Sequence, residues 1–173
     1  SAGLCKIGHE ELGMSGAWWI IFFIAFMVME FNAWWLHKYV MHGPLWILHD
    51  DHHTPVPGRS YQRNDFFALF FAVPSFLAIL FDSIYSIPLL GAAGFGVMAY
   101  GAVYFTVHEV IIHRRWKWFS LRNNWYIEAL NVAHKVHHAT HTKSGNANFG
   151  MLIVALKYFR AARLRQNSIA RSQ

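Results

Sequence analysis

Five histidines fall within seventeen residues, His37 to His53, reading HKYVMHGPLWILHDDHH. Two further blocks follow, HEVIIH at 108–113 and HKVHH at 134–138, so ten of the twelve histidines lie in three short stretches. The candidate metal ligands are therefore His37, His42, His49, His52, His53, His108, His113, His134, His137 and His138. Neutral imidazole binds zinc, iron and other first-row ions. Ten imidazoles exceed the needs of one ion and give two ions about five each. Structural zinc takes four ligands, commonly with cysteine. The single cysteine, Cys5, makes thiolate ligation implausible and rules out an internal disulfide.

Spacing separates these histidines from scattered interfacial ones. In HX2HH the three residues sit at i, i+3 and i+4, which share one side of a helix. His49, His52 and His53 are thus predicted to point broadly together toward one region, as are His134, His137 and His138. HX4H behaves differently, because five positions on an ideal helix leave two residues about 140° apart. Either the helix distorts near Gly43-Pro44, or His37 and His42 serve different metals. The same choice applies to His108 and His113. The order HX4H then HX2HH occurs twice, a loose internal echo. Among the neighbours, Glu109 could orient an imidazole through its outer N–H or act as a ligand. Asn131, one turn before His134, and His141, seven residues after it, are candidates for the same orienting work. Asp50 and Asp51 are expected to face solvent, and His9 is too remote to be a ligand.

The elements that must position these blocks are apolar helices. Only 14% of residues are charged and mean hydropathy is +0.23, whereas a soluble domain carries about a quarter charged residues. Three crossings are expected, at about 17–36, 66–81 and 89–107. The first is flanked by Trp18, Trp19, Trp34 and Trp35, as interfacial anchors are. Glu30 and Asn32 near its end suit the protein interior better than lipid. The second is short and should kink at Pro74. The third is rich in small residues, which lets helices approach closely. Residues 1–15 are polar and carry no signal-peptide pattern. Gly43-Pro44 should end the first helix and start a short one over 44–53. Asn64 or Asp65 should cap the second crossing, and Asn123 or Asn124 a helix over 125–140. A basic amphipathic segment is expected over 151–165, and the last eight residues should fray.

Three crossings place all the histidine blocks on one side. Of the fifteen Lys and Arg, only Lys6 precedes the first block, so that side is expected to be cytoplasmic. The expectation is one all-α integral membrane domain over 1–173, a multi-pass helical bundle. Its histidine-rich cap, segments 37–65 and 108–150, would lie on the cytoplasmic face of a bacterial inner membrane. The net charge of +6 follows from this sidedness and is not a sign of nucleic-acid binding. Arg114 to Phe119 reads as an interfacial belt. A basic surface of Arg59, Arg63, Arg114, Arg115, Lys117 and Arg122 could steer an acidic partner, although membrane sidedness alone accounts for it.

The order of histidine motifs resembles the membrane fatty-acid hydroxylase superfamily. HKYVMHGPLWILH, the following HHTP, NDFFALFFAVP at 64–74 and VHEVIIHRRW at 107–116 are similar to its bacterial β-carotene 3-hydroxylase branch. The resemblance covers about residues 27–150. Two departures stand out: Asp50-Asp51 in place of a basic or polar pair, and Glu109 in place of Asp. The resemblance implies a non-haem di-iron monooxygenase with two iron ions, which zinc could replace in a purified sample. It implies use of O2 and a ferredoxin-type electron donor to hydroxylate carbon 3 of each β-ionone ring of a carotenoid. Beyond the metal centre it implies no separate catalytic residue. Competing readings are a hydroxylase or desaturase of fatty-acyl or sterol lipids, a ketolase acting on the same ring, and a membrane metal transporter or sensor. Transport predicts ligands near the bilayer midplane, whereas these blocks sit at the ends of apolar runs.

Overall fold

A computed structural model describes residues 2–59, 61–116, 121 and 124–171, with side chains described within 15–168. Among the described residues all regular structure is helical. The elements are α1 (Ala2–Trp35), α2 (Trp46–His53), α3 (Leu69–Tyr85), α4 (Pro88–Phe105), α5 (Trp125–His138) and α6 (Leu156–Arg171). π-helical turns at Leu36–Met41 and Thr106–Ile112 prolong α1 and α4, and a 3₁₀ segment, Arg63–Ala68, leads into α3.

Among the described residues, three helical stretches are long and apolar enough to cross a membrane: Ser15–Met41, Arg63–Tyr85 and Pro88–Ile112, of 27, 23 and 25 residues. Each is longer than the expected crossing because the flanking turns join the helix. α3 continues through Pro74. Large apolar side chains on these helices stand exposed, Phe23 by 58%, Phe76 by 63% and Met98 by 50%. A helix apolar around its circumference is stable when lipid is its solvent. The three helices suit a membrane protein.

The chain divides into two compact units, Ser1–Met29 with Phe67–Ala102, and Glu30–Phe66 with Val103–Gln173. In the first unit, glycine sets the spacing between helices. A Cβ at Gly96 would stand 2.4 Å from the Phe22 carbonyl oxygen of α1, and one at Gly94 would stand 3.0 Å from the Ser75 carbonyl oxygen of α3. Ser75 Oγ donates to the Gly94 carbonyl at 2.8 Å. In hydrocarbon such close packing replaces the hydrophobic effect as the force between helices.

The second unit holds every described histidine of the three blocks. Its apolar core joins Val107 to Ile127, Ala129, Leu130 and Ala133 of α5, with Met151, Val154 and, on α6, Tyr158 and Ala162. Asn124 caps α5, accepting from the Tyr126 and Ile127 amides at 2.9 and 3.1 Å; Asn123 lies outside the described residues. Asn64 and Asp65 do not cap α3. Both are engaged elsewhere in this unit. α6 begins at Leu156 and runs to Arg171, so the described part of the expected frayed end is helical and 151–155 is not.

Substituting Gly96→Ala should force the Phe22 backbone away and cost about 1–3 kcal/mol. Gly101→Ala has open space around its Cβ and should be neutral. Thermal melting of the detergent-solubilised protein checks the contrast, which equal melting temperatures would contradict.

Candidate metal centre

Both HX4H pairs sit on π-helical turns. The His42 amide donates to the His37 carbonyl at 3.0 Å and the His113 amide to the His108 carbonyl at 2.9 Å. An i→i+5 bond widens the turn by one residue and brings residue i+5 over residue i. The helical distortion left open by the sequence is thus a π turn running up to Gly43-Pro44 in one case, with no glycine or proline in the other. The rings of His37 and His42 come to 5.3 Å, and those of His108 and His113 to 4.6 Å.

Two sets of histidines result. His37, His42, His49, His53 and His137 converge in one, with a ligand nitrogen from each within 4.8 Å of the others. His52, His108, His113 and His134 converge in the second by the same measure. Each set could hold a metal ion. The two members of each HX4H pair share a set, while each HX2HH motif is divided. On α2 the i and i+4 residues, His49 and His53, join the first set and His52 at i+3 joins the second. On α5 the i+3 residue, His137, joins the first set and His134 the second. His138 stands beside the second set, its ring 4.5 Å from His134, 4.8 Å from His52 and 4.9 Å from His113. The internal echo is therefore a crossed one. Each half of the repeat supplies its HX4H pair and its i, i+4 pair, and lends its i+3 histidine to the other half.

Hydrogen bonds fix the tautomers. In the first set every Nδ1–H has an acceptor: Phe149 O for His37 at 3.1 Å, Lys143 O for His42 at 3.1 Å, Asn64 Oδ1 for His49 at 2.6 Å, Thr140 O for His53 at 3.0 Å and Ala147 O for His137 at 3.2 Å. In the second, His52 donates to Gln62 Oε1 at 2.9 Å and His108 to Glu109 Oε1 at 2.7 Å. A carbonyl can only accept, so the proton resides on Nδ1 and Nε2 of the neutral ring keeps a lone pair. Those lone pairs face one another. Nε2 atoms stand 3.2 Å apart for His37 and His49, 3.2 Å for His42 and His137, and 3.1 Å for His53 and His137. In the second set, His113 and His134 Nε2 atoms are 2.7 Å apart, a distance at which one ring can donate to the other.

Two lone pairs at the distances of the first set repel unless a cation lies between them. A proton is a poor candidate, because burial disfavours imidazolium. Burial pushes His53 down to about 4, and His113 and His137 to about 3, with neighbouring imidazoles adding to the effect. His49, His52, His134 and His138 are lowered too, burial again being the largest cause. The rings are neutral at pH 7, the form that binds metal. Nitrogens at about 2.1 Å from a shared ion and at right angles lie about 3 Å apart, which matches the observed contacts. The buried Nε2 atoms of His52 and His138 have no hydrogen-bond partner among the described residues. The donor set fits metal ions, and its all-nitrogen chemistry suits iron.

A model of the fatty acid hydroxylase family matches residues 22–159. The chain belongs to the fatty acid hydroxylase family. It is 39% identical to the beta-carotene hydroxylase of Pantoea ananas over 77% of its own length and 75% of that relative's. It is 35% identical to the beta-carotene hydroxylase of Pseudescherichia vulneris, with 77% and 74% covered. The chloroplastic beta-carotene 3-hydroxylase of Haematococcus lacustris is 38% identical over 72% of this chain and 39% of the longer relative. No solved structure gives a significant match.

Around this family's histidine motifs, several further residues make contacts that bear on the site. Glu109, expected as an orienting group, accepts from His108 and in turn from Arg115 Nη1 at 2.8 Å. Arg115 also grips Asp65 through both Nη atoms, at 2.6 and 2.7 Å. Asp51 is buried, 5% exposed, and accepts from the Arg63 amide at 2.7 Å. That corrects its expected solvent exposure. The loop after α2 folds back and covers it, while Arg63 reaches Asp50 at 2.5 Å. Of the expected basic surface, Arg59 and Arg114 are exposed, whereas Lys117 and Arg122 lie outside the described residues, as do the His9 side chain, Trp118 and Phe119. His141 Nδ1–H donates to the His53 carbonyl at 2.9 Å. Asn131 is half-buried and makes no hydrogen bond to the described histidines. Gln62 and Asn64 were not singled out as imidazole partners. Their only sequence signal is an amide-bearing pair ten to fifteen residues past the ligands it serves.

Asn64→Leu removes the acceptor for His49 Nδ1 and should weaken metal binding by about 10–100-fold. Asn64→Asp keeps an acceptor and should retain it. Anaerobic titration with ferrous iron separates the two; equal affinities would contradict the assigned role.

Proposed function

We propose that the chain is a di-iron monooxygenase that hydroxylates carbon 3 of the β-ionone rings of β-carotene, giving β-cryptoxanthin and then zeaxanthin. The observation that carries this reading is the pair of converging imidazole sets, the first with confronting, proton-free Nε2 atoms, in a chain whose relatives are named beta-carotene hydroxylases. His37, His42, His49, His53 and His137 would hold one iron. His52, His108, His113 and His134 would hold the other, with His138 beside them. When bound, the iron pair supplies the redox chemistry that an unactivated C–H bond requires and that no side chain can provide. O2 is the oxidant and a ferredoxin-type protein the electron donor in this proposal.

The chain's own residues do the rest. The carbonyls of Thr140, Lys143, Ala147 and Phe149 hold protons on the outer ring nitrogens, which keeps the inner ones available. Burial excludes water and keeps the rings neutral. Glu109, held by Arg115, supplies a negative charge next to His108 and increases its basicity toward a metal. A carotenoid dissolves in hydrocarbon, and three apolar helices would put the enzyme in the same phase. The concentration of Lys and Arg in the histidine-bearing segments supports a multi-pass orientation with those segments cytoplasmic.

Expression in cells that accumulate β-carotene tests the proposal. The expected products are β-cryptoxanthin and zeaxanthin, read by pigment chromatography. His137→Ala should lower turnover by more than about a hundredfold while the protein stays in the membrane fraction. Unchanged β-carotene, with the wild-type chain in the membrane and iron and reductant supplied, would point instead to fatty-acyl or sterol lipids.

A further inference from the structure

Glu30 is a buried carboxylate, 7% exposed, on the last turns of α1. Its Oε1 accepts from three successive backbone amides, Met151 at 3.1 Å, Leu152 at 2.9 Å and Ile153 at 2.9 Å. Successive amides turned to one point form an anion-binding nest. Here the anion is part of the same chain, more than a hundred residues away in sequence. His37 lies seven positions after Glu30, two turns on and on the same helical face.

The nest ends a strap that has no regular structure of its own. Residues 145–150 pass directly over the first histidine set. Ala147 O accepts from His137 and Phe149 O from His37, and the Phe149 ring packs against His37, His42 and His137 at 5.5, 5.2 and 5.2 Å. At one end Asn146 Nδ2 donates to the His137 and Thr140 carbonyls, each at 3.2 Å. At the other end the Glu30 carboxylate holds the amides. The backbone between them is bent, with φ of +89° at Gly145 and +60° at Asn148. A segment with left-handed turns and no helical hydrogen bonds needs outside contacts to hold its carbonyls in place. Among the described residues the second histidine set takes no carbonyl from this strap: the outer nitrogens of His52 and His108 bond to Gln62 and Glu109.

We infer that Glu30 is a positioning residue for one metal of the two. By clamping the 151–153 amides it fixes the strap whose carbonyls lock the tautomers of His37 and His137. The inference rests on the two-ion reading above. It gives that reading an asymmetry: losing Glu30 loosens the first set and leaves the second intact.

The test combines amide hydrogen exchange with iron stoichiometry on the detergent-solubilised full chain, using wild type, Glu30→Ala and Glu30→Gln. Hydrogen bonds to a charged group are worth about 1.5–3 kcal/mol, so exchange at 151–153 should quicken by about tenfold or more in Glu30→Ala. Ferrous iron added anaerobically should bind at two per chain in wild type. In Glu30→Ala one of the two should bind about 10–100-fold more weakly, with the other unchanged. Glu30→Gln keeps the shape and one acceptor oxygen, so it should fold like wild type and show the same pattern to a smaller degree. If Glu30→Ala fails to fold, Glu30→Gln decides by the same two readouts. Unchanged exchange at 151–153, or two irons bound with wild-type affinity, would overturn the role of Glu30. Equal weakening of both irons would also overturn it. A wild-type chain that binds no iron would instead sink the two-ion reading.

Discussion

A neutral imidazole has one proton and one lone pair, and this fold directs them to opposite sides. Around the first histidine set, carbonyls and a carboxamide accept the Nδ1 protons. Inside, bare Nε2 atoms meet at about van der Waals distance. Burial prevents protonation from relieving the contact. Without cations the arrangement is a concentrated repulsion in the middle of the second unit. With them it is a preorganised ligand shell. The strap over 145–150, the loop 61–65 and the π turns all serve that one electrostatic requirement, since each supplies either an acceptor outside or a ring inside.

The two π turns answer a geometric problem that an α-helix cannot solve. Five residues on a regular helix leave HX4H side chains on different faces. One i→i+5 bond in each turn corrects the angle at the cost of a regular ladder. Crossing the i+3 histidines between halves has a further consequence. Neither set can assemble from one half of the repeat alone, because the first needs His137 and the second needs His52. A metal bound in either set would draw ligands from both α2 and α5, which is how a ligand site becomes part of a fold's stability.

Much of this was legible in the residues. The ten histidines, the three apolar helices and the all-helical class follow from spacing and hydropathy, and the cap of α5 was narrowed to Asn123 or Asn124. The HX4H angle posed a choice between a distorted helix and two separate metals, and did not point to a π turn. What sequence could not give was the division of each HX2HH motif. Helical periodicity places i, i+3 and i+4 on one side, but two histidine sets close together can split a single face. Asp51 was misplaced because periodicity knows only its own helix, and the cover comes from the loop at 61–65. The carbonyl acceptors were invisible for a different reason. Backbone oxygens carry no residue type, so only the path of the strap places Ala147 and Phe149 where they act.

The central claim is that imidazole nitrogen, and not carboxylate oxygen or sulfur, surrounds each iron. X-ray absorption at the iron edge of the reconstituted wild-type chain measures this directly. The account predicts a light-atom shell near 2.1 Å with strong outer scattering from imidazole carbons, averaging four or five rings per iron. A shell with sulfur, or one with only one or two rings per iron, would contradict it.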